Sequence, residues 1–228
     1  MRYLNKVHKD ILPHAQQLLW KELRSTPDDF VLYGGTALAL RFGHRVSVDF
    51  DFFSNHEFDP ERLYAKIPYL KGSTVQQMAP NTLTCSVTRG EPVQVSFFGG
   101  LPLGRVGEPE LAHENSLCIA SPLDIGAAKV RVVIARPAWK YYVDVDVLIQ
   151  HGIPLIKMLS AASSLYEAPY SPMLSLKALS YFEDLGAELP QDTRNRLSKA
   201  VESVDLHALK LMPINKKIAP ERSLGLGV

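Results

Sequence analysis

From Phe30 to Phe53 the chain changes its hydrophobic period twice, and few folds accommodate that order of changes. Phe30-Val31-Leu32-Tyr33 is a short apolar run of strand formers, Gly34-Gly35 interrupts it, and Thr36-Ala37-Leu38-Ala39-Leu40-Arg41 is built of good helix formers. Val46 to Phe53 then alternates Val46, Val48, Phe50 and Phe52 with Ser47, Asp49 and Asp51, the period of a strand with one polar face. The prediction is strand, glycine turn, helix, strand, with both aspartates projecting from one side of the second strand.

That order carries a chemical implication. A glycine turn running into a helix start exposes backbone N–H groups without side-chain obstruction, so Gly34 and Gly35 can cradle phosphate oxygens, the Thr36 hydroxyl adding a donor and the helix dipole assisting. Two carboxylates on one strand face can hold Mg²⁺, which neutralises a triphosphate. Taken singly, paired glycines are ordinary turn chemistry and a D-x-D on a strand is usually a solvated face. Their succession brings a phosphate at the turn close to a metal on the neighbouring strand.

The rest of the sequence supplies a frame. Val7, Ile11, Leu12, Leu18, Leu19 and Leu23 fall near helical spacing, with Pro13 bending or restarting the segment. Helical material around Pro60 to Tyr69 precedes three strand-like runs, Thr74 to Met78, Thr82 to Thr88 and Val93 to Phe98, separated by turn residues and read as a meander extending the sheet. Ser121 caps and Pro122 opens a helix that ends at Arg136-Pro137. Beyond Gly152, apolar patterns at 153–166, 173–185 and 193–211, punctuated by prolines, predict a helical C-terminal domain over 151–228 behind a first domain over 1–150, with a loosely held tail after Pro213.

Composition excludes more than it specifies. With 228 residues, 46% of them hydrophobic, the chain can fill an ordinary core, and a formal charge of +1 excludes a globally basic nucleic-acid binder while allowing a local basic patch. Cys85 and Cys118 lie outside any C-x-x-C spacing and read as small buried hydrophobes, and the histidines lack metal-ligand spacing. A G-x-S-x-G elbow and a Walker lysine are both missing, which argues against a hydrolase or P-loop ATPase. Met1 to Asp10 lacks the apolar core of a signal peptide, and no run of about eighteen uncharged apolar residues follows. The expectation is a cytoplasmic protein without membrane contact.

Gly34-Gly35-Thr36-Ala37-Leu38-Ala39-Leu40 followed by His44-Arg45-Val46-Ser47-Val48-Asp49-Phe50-Asp51-Phe52-Phe53 resembles the AbiEii/AbiGii type of nucleotidyltransferase, within the DNA polymerase β-like superfamily. The resemblance implies an α+β fold, a mixed sheet flanked by helices with a helical C-terminal region. It also implies a glycine turn that binds phosphate, a D-x-D that binds Mg²⁺ with Mn²⁺ as a substitute, and a nucleoside triphosphate substrate. Many members are toxins of toxin–antitoxin or phage-defence pairs, which makes RNA, the tRNA acceptor end in particular, a candidate acceptor and a cognate antitoxin a candidate partner. Arg45 and Ser47 match the family's approach to the carboxylates, where they contact nucleotide; on the residues alone, Arg45 could equally pair with Asp49 or Asp51.

A second cluster, Ala127-Ala128-Lys129, Arg136, Lys140 and Asp144, is similar to the family's second signature. Spacing puts Lys129 and Arg136 about two turns apart on one helix face. The resemblance implies that Lys129 holds leaving pyrophosphate, Arg136 contacts nucleotide, and Asp144 activates the acceptor or orients the lysine. Val143-Asp144-Val145-Asp146-Val147 alternates like a strand, whereas the resemblance implies helix, and helix is adopted; Asp146 then reads as solvent-facing. Tyr141-Tyr142 and Trp139 read as packing rather than base-stacking residues. This chain departs from the family at Tyr141, where an aspartate is common, and at Gln94 and Ser96, the only polar-face residues of the strand expected to bring a third metal carboxylate. The competing reading is therefore a nucleotide-binding or antitoxin-binding module that kept Gly34-Gly35 and Asp49-Asp51 but lost turnover.

Overall fold

The computed structural model describes residues 2–166 and 170–220, which form two compact units. Of the described residues, the first takes in 2–103, 108–120 and 217–220, and the second 104–107, 121–166 and 170–216.

In chain order the first unit runs β1 (Arg2–Tyr3), α1 (His14–Trp20), β2 (Val31–Tyr33), α2 (Gly34–Phe42), β3 (Asp49–Phe53), α3 (Pro60–Lys66), β4 (Thr74–Ala79), β5 (Thr82–Arg89), β6 (Glu91–Phe98), β7 (Glu110–Leu111) and β8 (Cys118–Ile119). The strands make one mixed sheet in the order β1-β7-β8-β2-β3-β6-β5-β4. The expected meander is β4, β5 and β6; its two turns pivot on Asn81 (φ 57°) and Gly90 (φ 83°), residue types that tolerate the left-handed region. Pro13 restarts the N-terminal segment, as α1 begins directly after it.

The alternation along β3 fixes its faces. Phe50 and Phe52 are fully buried, and Phe52 stacks on Phe97 of β6 at 5.2 Å while Phe30 meets Phe97 edge-on at 5.1 Å. Asp49 and Asp51 lie half-buried on the opposite face. The strand is shorter than its alternation predicts: Val46 and Val48 precede it and are 53% and 56% exposed. On the β2 side pairing ends at Tyr33↔Asp51, because β2 turns into α2 at Gly34 and leaves residues before Asp49 without that neighbour.

The second unit is helical: α4 (Pro122–Ala135), α5 (Trp139–Gln150), α6 (Leu155–Leu165), α7 (Pro172–Ser180) and α8 (Gln191–Glu202). The Ser121 hydroxyl accepts from the Asp124 N–H at 3.0 Å, with Pro122 in the first turn, as the sequence predicts. Helix α4 packs against α5, α6 and α7. Gly126 permits the close approach to α6, since a Cβ there would lie 2.9 Å from Met158. The expected helix over 193–211 stops at Glu202, and Leu206–Ala208 makes only a separate short turn.

Of the tail after Pro213, residues 214–220 are better held than expected, while 221–228 lie outside the described residues. Asn215 exchanges backbone hydrogen bonds with Arg105 at 2.8 and 2.9 Å, and Ile218, 1% exposed, donates its N–H to the Asn55 side chain at 2.6 Å. A backbone pairing and a single buried side chain carry no hydrophobic period, so the sequence pattern missed them. Among the described residues no single helix is long and apolar enough to cross a membrane.

Candidate active site

Helix α2 begins where β2 ends, and glycine serves at its first two residues for different reasons. Gly34 adopts φ 78°, a conformation that costs an L side chain, and a Cβ there would lie 3.0 Å from Asp51 Oδ2. At Gly35 the backbone is ordinary, but a Cβ would collide with the Arg45 guanidinium and lie 2.8 Å from Ser47 Oγ. Asp51, Arg45 and Ser47 are thus packed directly on the helix start. Its leading N–H groups have no acceptor within the helix, and the dipole there favours an anion.

The Thr36 side chain has a partner within the fold. Its hydroxyl, buried at the start of α2, donates to the Asp49 carbonyl at 2.5 Å. In this arrangement that proton ties α2 to β3. Arg45 also donates to the Val46 carbonyl at 3.0 Å, which bends the guanidinium back toward the glycines.

Strand β6 runs parallel to β3 in the register Asp49↔Gln94 and Asp51↔Ser96. The neighbours of both aspartates on that side are therefore the amide and hydroxyl noted from the sequence, and the buried Ser96 hydroxyl accepts from Thr84 at 3.4 Å. Among the described residues no group of three or more His, Cys, Asp or Glu converges as a metal cage. Asp49 and Asp51 still fit Mg²⁺, which commonly takes one or two carboxylates and completes its shell with water and substrate phosphates.

In the second unit Lys129 Nζ lies 2.8 Å from Asp144 Oδ2, with the two side chains 8% and 0% exposed. Its ammonium also lies 4.9 Å from the centroid of the Tyr141 ring. Arg136 does not share the Lys129 face: α4 ends at Ala135, and Arg136 is an exposed cap with φ −142° and ψ 80°. Pro137 explains this, because the residue before a proline is pushed out of the helical region.

Residues 143–147 lie within helix α5, so Asp144 and Asp146 point about 200° apart around its axis. Asp146 is not solvent-facing, as expected, but 2% exposed. It accepts from Arg196 Nε at 2.7 Å and Nη2 at 2.6 Å, from Thr193 at 2.9 Å and from Gln150 at 3.0 Å. Only Gln150, one helical turn along, was legible locally; Thr193 and Arg196 reach Asp146 through the packing of α8 on α5. Tyr142 is a packing residue as predicted, buried and donating its hydroxyl to the Ala178 carbonyl at 2.9 Å. Cys85 and Cys118 are buried thiols, as the sequence suggested, and burial raises the Cys85 thiol pKa.

The predicted site residues thus form two clusters, each inside its own unit. Gly34, Gly35, Thr36, Arg45, Ser47, Asp49 and Asp51 surround the start of α2; Lys129 and Asp144 pair between α4 and α5, with Arg136 exposed at the end of α4.

Two solved proteins share this architecture. MenT4, a nucleotidyltransferase toxin from Mycobacterium tuberculosis H37Rv, superposes with a TM-score of 0.57 at 16% identity, covering 84% of this chain and 83% of its own. An H. pylori protein described as a candidate nucleotidyltransferase gives 0.50 at 18% identity, covering 82% and 90%. At such identities the likeness speaks for the fold alone, and the fold is that of the nucleotidyltransferases. The sequence itself narrows the class: residues 17–210 match the model of the nucleotidyl transferase AbiEii toxin of type IV toxin–antitoxin systems, and the chain belongs to that family. It is also 30% identical, over 196 residues, to the uncharacterized protein aq_aa25 of Aquifex aeolicus (strain VF5), spanning 84% of this chain and 89% of that one.

Proposed function

We propose that this nucleotidyltransferase moves a nucleoside monophosphate from a nucleoside triphosphate to a hydroxyl on RNA, with the tRNA acceptor end the leading candidate, and that it does so with a divalent metal. The observation carrying this reading is the packing of Asp51, Arg45 and Ser47 onto Gly34 and Gly35 at the start of α2, which sets carboxylate, guanidinium and helix N–H groups around one small volume. In the reaction the acceptor hydroxyl releases its proton to solvent, its oxygen bonds the α-phosphorus, the bond to the bridging oxygen breaks, and diphosphate leaves.

Each residue has a part in that exchange. The N–H groups at Gly34 and Gly35 hold phosphate oxygens, and Arg45, Ser47 and Arg136 contact the nucleotide. Thr36 acts through Asp49, whose carbonyl it holds. Asp49 and Asp51 would hold Mg²⁺ or Mn²⁺, which supplies charge neutralisation to the triphosphate. Lys129 balances charge on the departing diphosphate, and Asp144 orients Lys129. On this reading the nucleotidyltransferase domain runs over 1–150 and takes in α4 and α5, with 151–228 as a helical C-terminal domain. The protein works in the cytoplasm as the toxin of a toxin–antitoxin or phage-defence pair, restrained by a cognate antitoxin.

The test is incubation with Mg²⁺, each α-labelled nucleoside triphosphate and total cellular RNA. Label that moves to RNA, and ceases to move in Asp51→Ala, supports the proposal. Nucleotide binding without transfer to RNA or protein under Mg²⁺ or Mn²⁺ would favour the catalytically weakened module instead, the reading that Gln94 and Ser96 beside the two aspartates make worth separating.

A further inference from the structure

Lys129 is an ammonium removed from water, and a carboxylate is only one of its partners. The ring of Tyr141, the third residue of α5, lies 4.9 Å from Nζ, and the half-exposed Lys140 ammonium lies 5.7 Å from the same ring. Attraction between a cation and an aromatic face strengthens when the cation is desolvated, so the buried Lys129 gains more from the ring than Lys140 does. The two partners also differ in kind. Asp144 fixes Nζ through a directed charged contact, whereas a ring face attracts the cation broadly and does not claim a particular N–H donor.

We infer that Tyr141 is a positioning residue for Lys129, holding its ammonium by the ring face in an orientation from which it can engage diphosphate. The inference rests on the proposed role of Lys129 in binding that leaving group. The phenol hydroxyl has no part in it, so phenylalanine should serve as well as tyrosine.

The full chain labelled with ¹³Cε-lysine tests this, the Lys129 signal being assigned by its loss in Lys129→Arg. The ring-current displacement of that signal should persist in Tyr141→Phe and vanish in Tyr141→Leu. Inorganic diphosphate, titrated against the same signal, should bind Tyr141→Phe as it binds the wild type and bind Tyr141→Leu roughly tenfold more weakly. Installing 3,4,5-trifluorophenylalanine at 141 keeps the shape while draining the ring face, and should weaken diphosphate; this replaces the leucine variant if that does not fold. Equal diphosphate affinity in the wild type, the leucine variant and the fluorinated protein overturns the inference, as does a phenylalanine variant as weak as the leucine one. A wild-type Lys129 signal indifferent to diphosphate overturns the role of Lys129 itself, and the inference with it, which is distinguishable because the ring-current displacement would remain.

Discussion

Replacing Gly34 and Gly35 separately by alanine should divide the cost of folding from the cost of binding. Gly34→Ala places an L residue at φ 78°, worth about 1–2 kcal/mol of strain, and crowds Asp51 Oδ2 at 3.0 Å. A chain of this size should then melt roughly 2–8 °C lower. Gly35→Ala is different in kind. Its backbone is helical, where alanine is favoured over glycine by about 1 kcal/mol, and that gain offsets the displacement of two side-chain ends near the surface. Its melting temperature should therefore stay close to the wild type. Its nucleotide binding should not, because the new methyl displaces the Arg45 guanidinium and Ser47 Oγ. One charge-assisted and one neutral hydrogen bond are together worth about 2–4 kcal/mol, so affinity for a Mg²⁺–nucleoside triphosphate should fall roughly 30- to 1,000-fold. Differential scanning calorimetry and isothermal titration calorimetry on the two variants check this. Nucleotide affinity unchanged in Gly35→Ala would refute the placement of phosphate at the start of α2. Equal destabilisation by both alanines would refute the division of roles.

The Lys129–Asp144 pair is buried on both sides, so Lys129→Met should destabilise by about 3–5 kcal/mol, while Lys129→Met with Asp144→Leu should recover most of the stability and none of the transfer activity; urea titrations beside the labelling assay would tell. Asp146→Ala removes four hydrogen bonds, but Arg196 is 42% exposed and regains water, so a smaller loss of about 2 kcal/mol is expected, with the nucleotide KM unmoved once the protein is folded. A changed KM would make Asp146 part of the site. Burial raises the pKa of Tyr166 and Tyr170 to about 12, so the folded state binds more protons than the unfolded one above pH 10, and stability present below pH 10 is lost as the pH rises through 12. Absorbance titration at alkaline pH should show late phenolate signals that Tyr166→Phe and Tyr170→Phe remove; phenolates that all appear near pH 10 would contradict this burial.

Local sequence determined the elements that create the first cluster. A strand ended by Gly34-Gly35, a helix following directly and an alternation that puts Phe50 and Phe52 inside must leave Asp49 and Asp51 on the other face, because a strand's period of two admits no alternative. The meander, the cap at Ser121 and the helix over Asp144 were legible for similar reasons, each being a pattern spanning a few residues.

Tertiary structure decided what the polar groups do. The Thr36 hydroxyl met the Asp49 carbonyl only when α2 lay against β3. Asp146 looked solvated until α8 brought Thr193 and Arg196 to it, and Lys129 and Arg136, two turns apart by count, parted because Arg136 falls just beyond the helix end. A hydrogen bond or ion pair between distant residues leaves no period in the sequence, since only the packing of apolar faces chooses which polar groups meet. The Gly34–Asp51 approach belongs to both levels: glycine and carboxylate were readable in order, and the antiparallel register of Tyr33 on Asp51 set the carboxylate against the start of the helix.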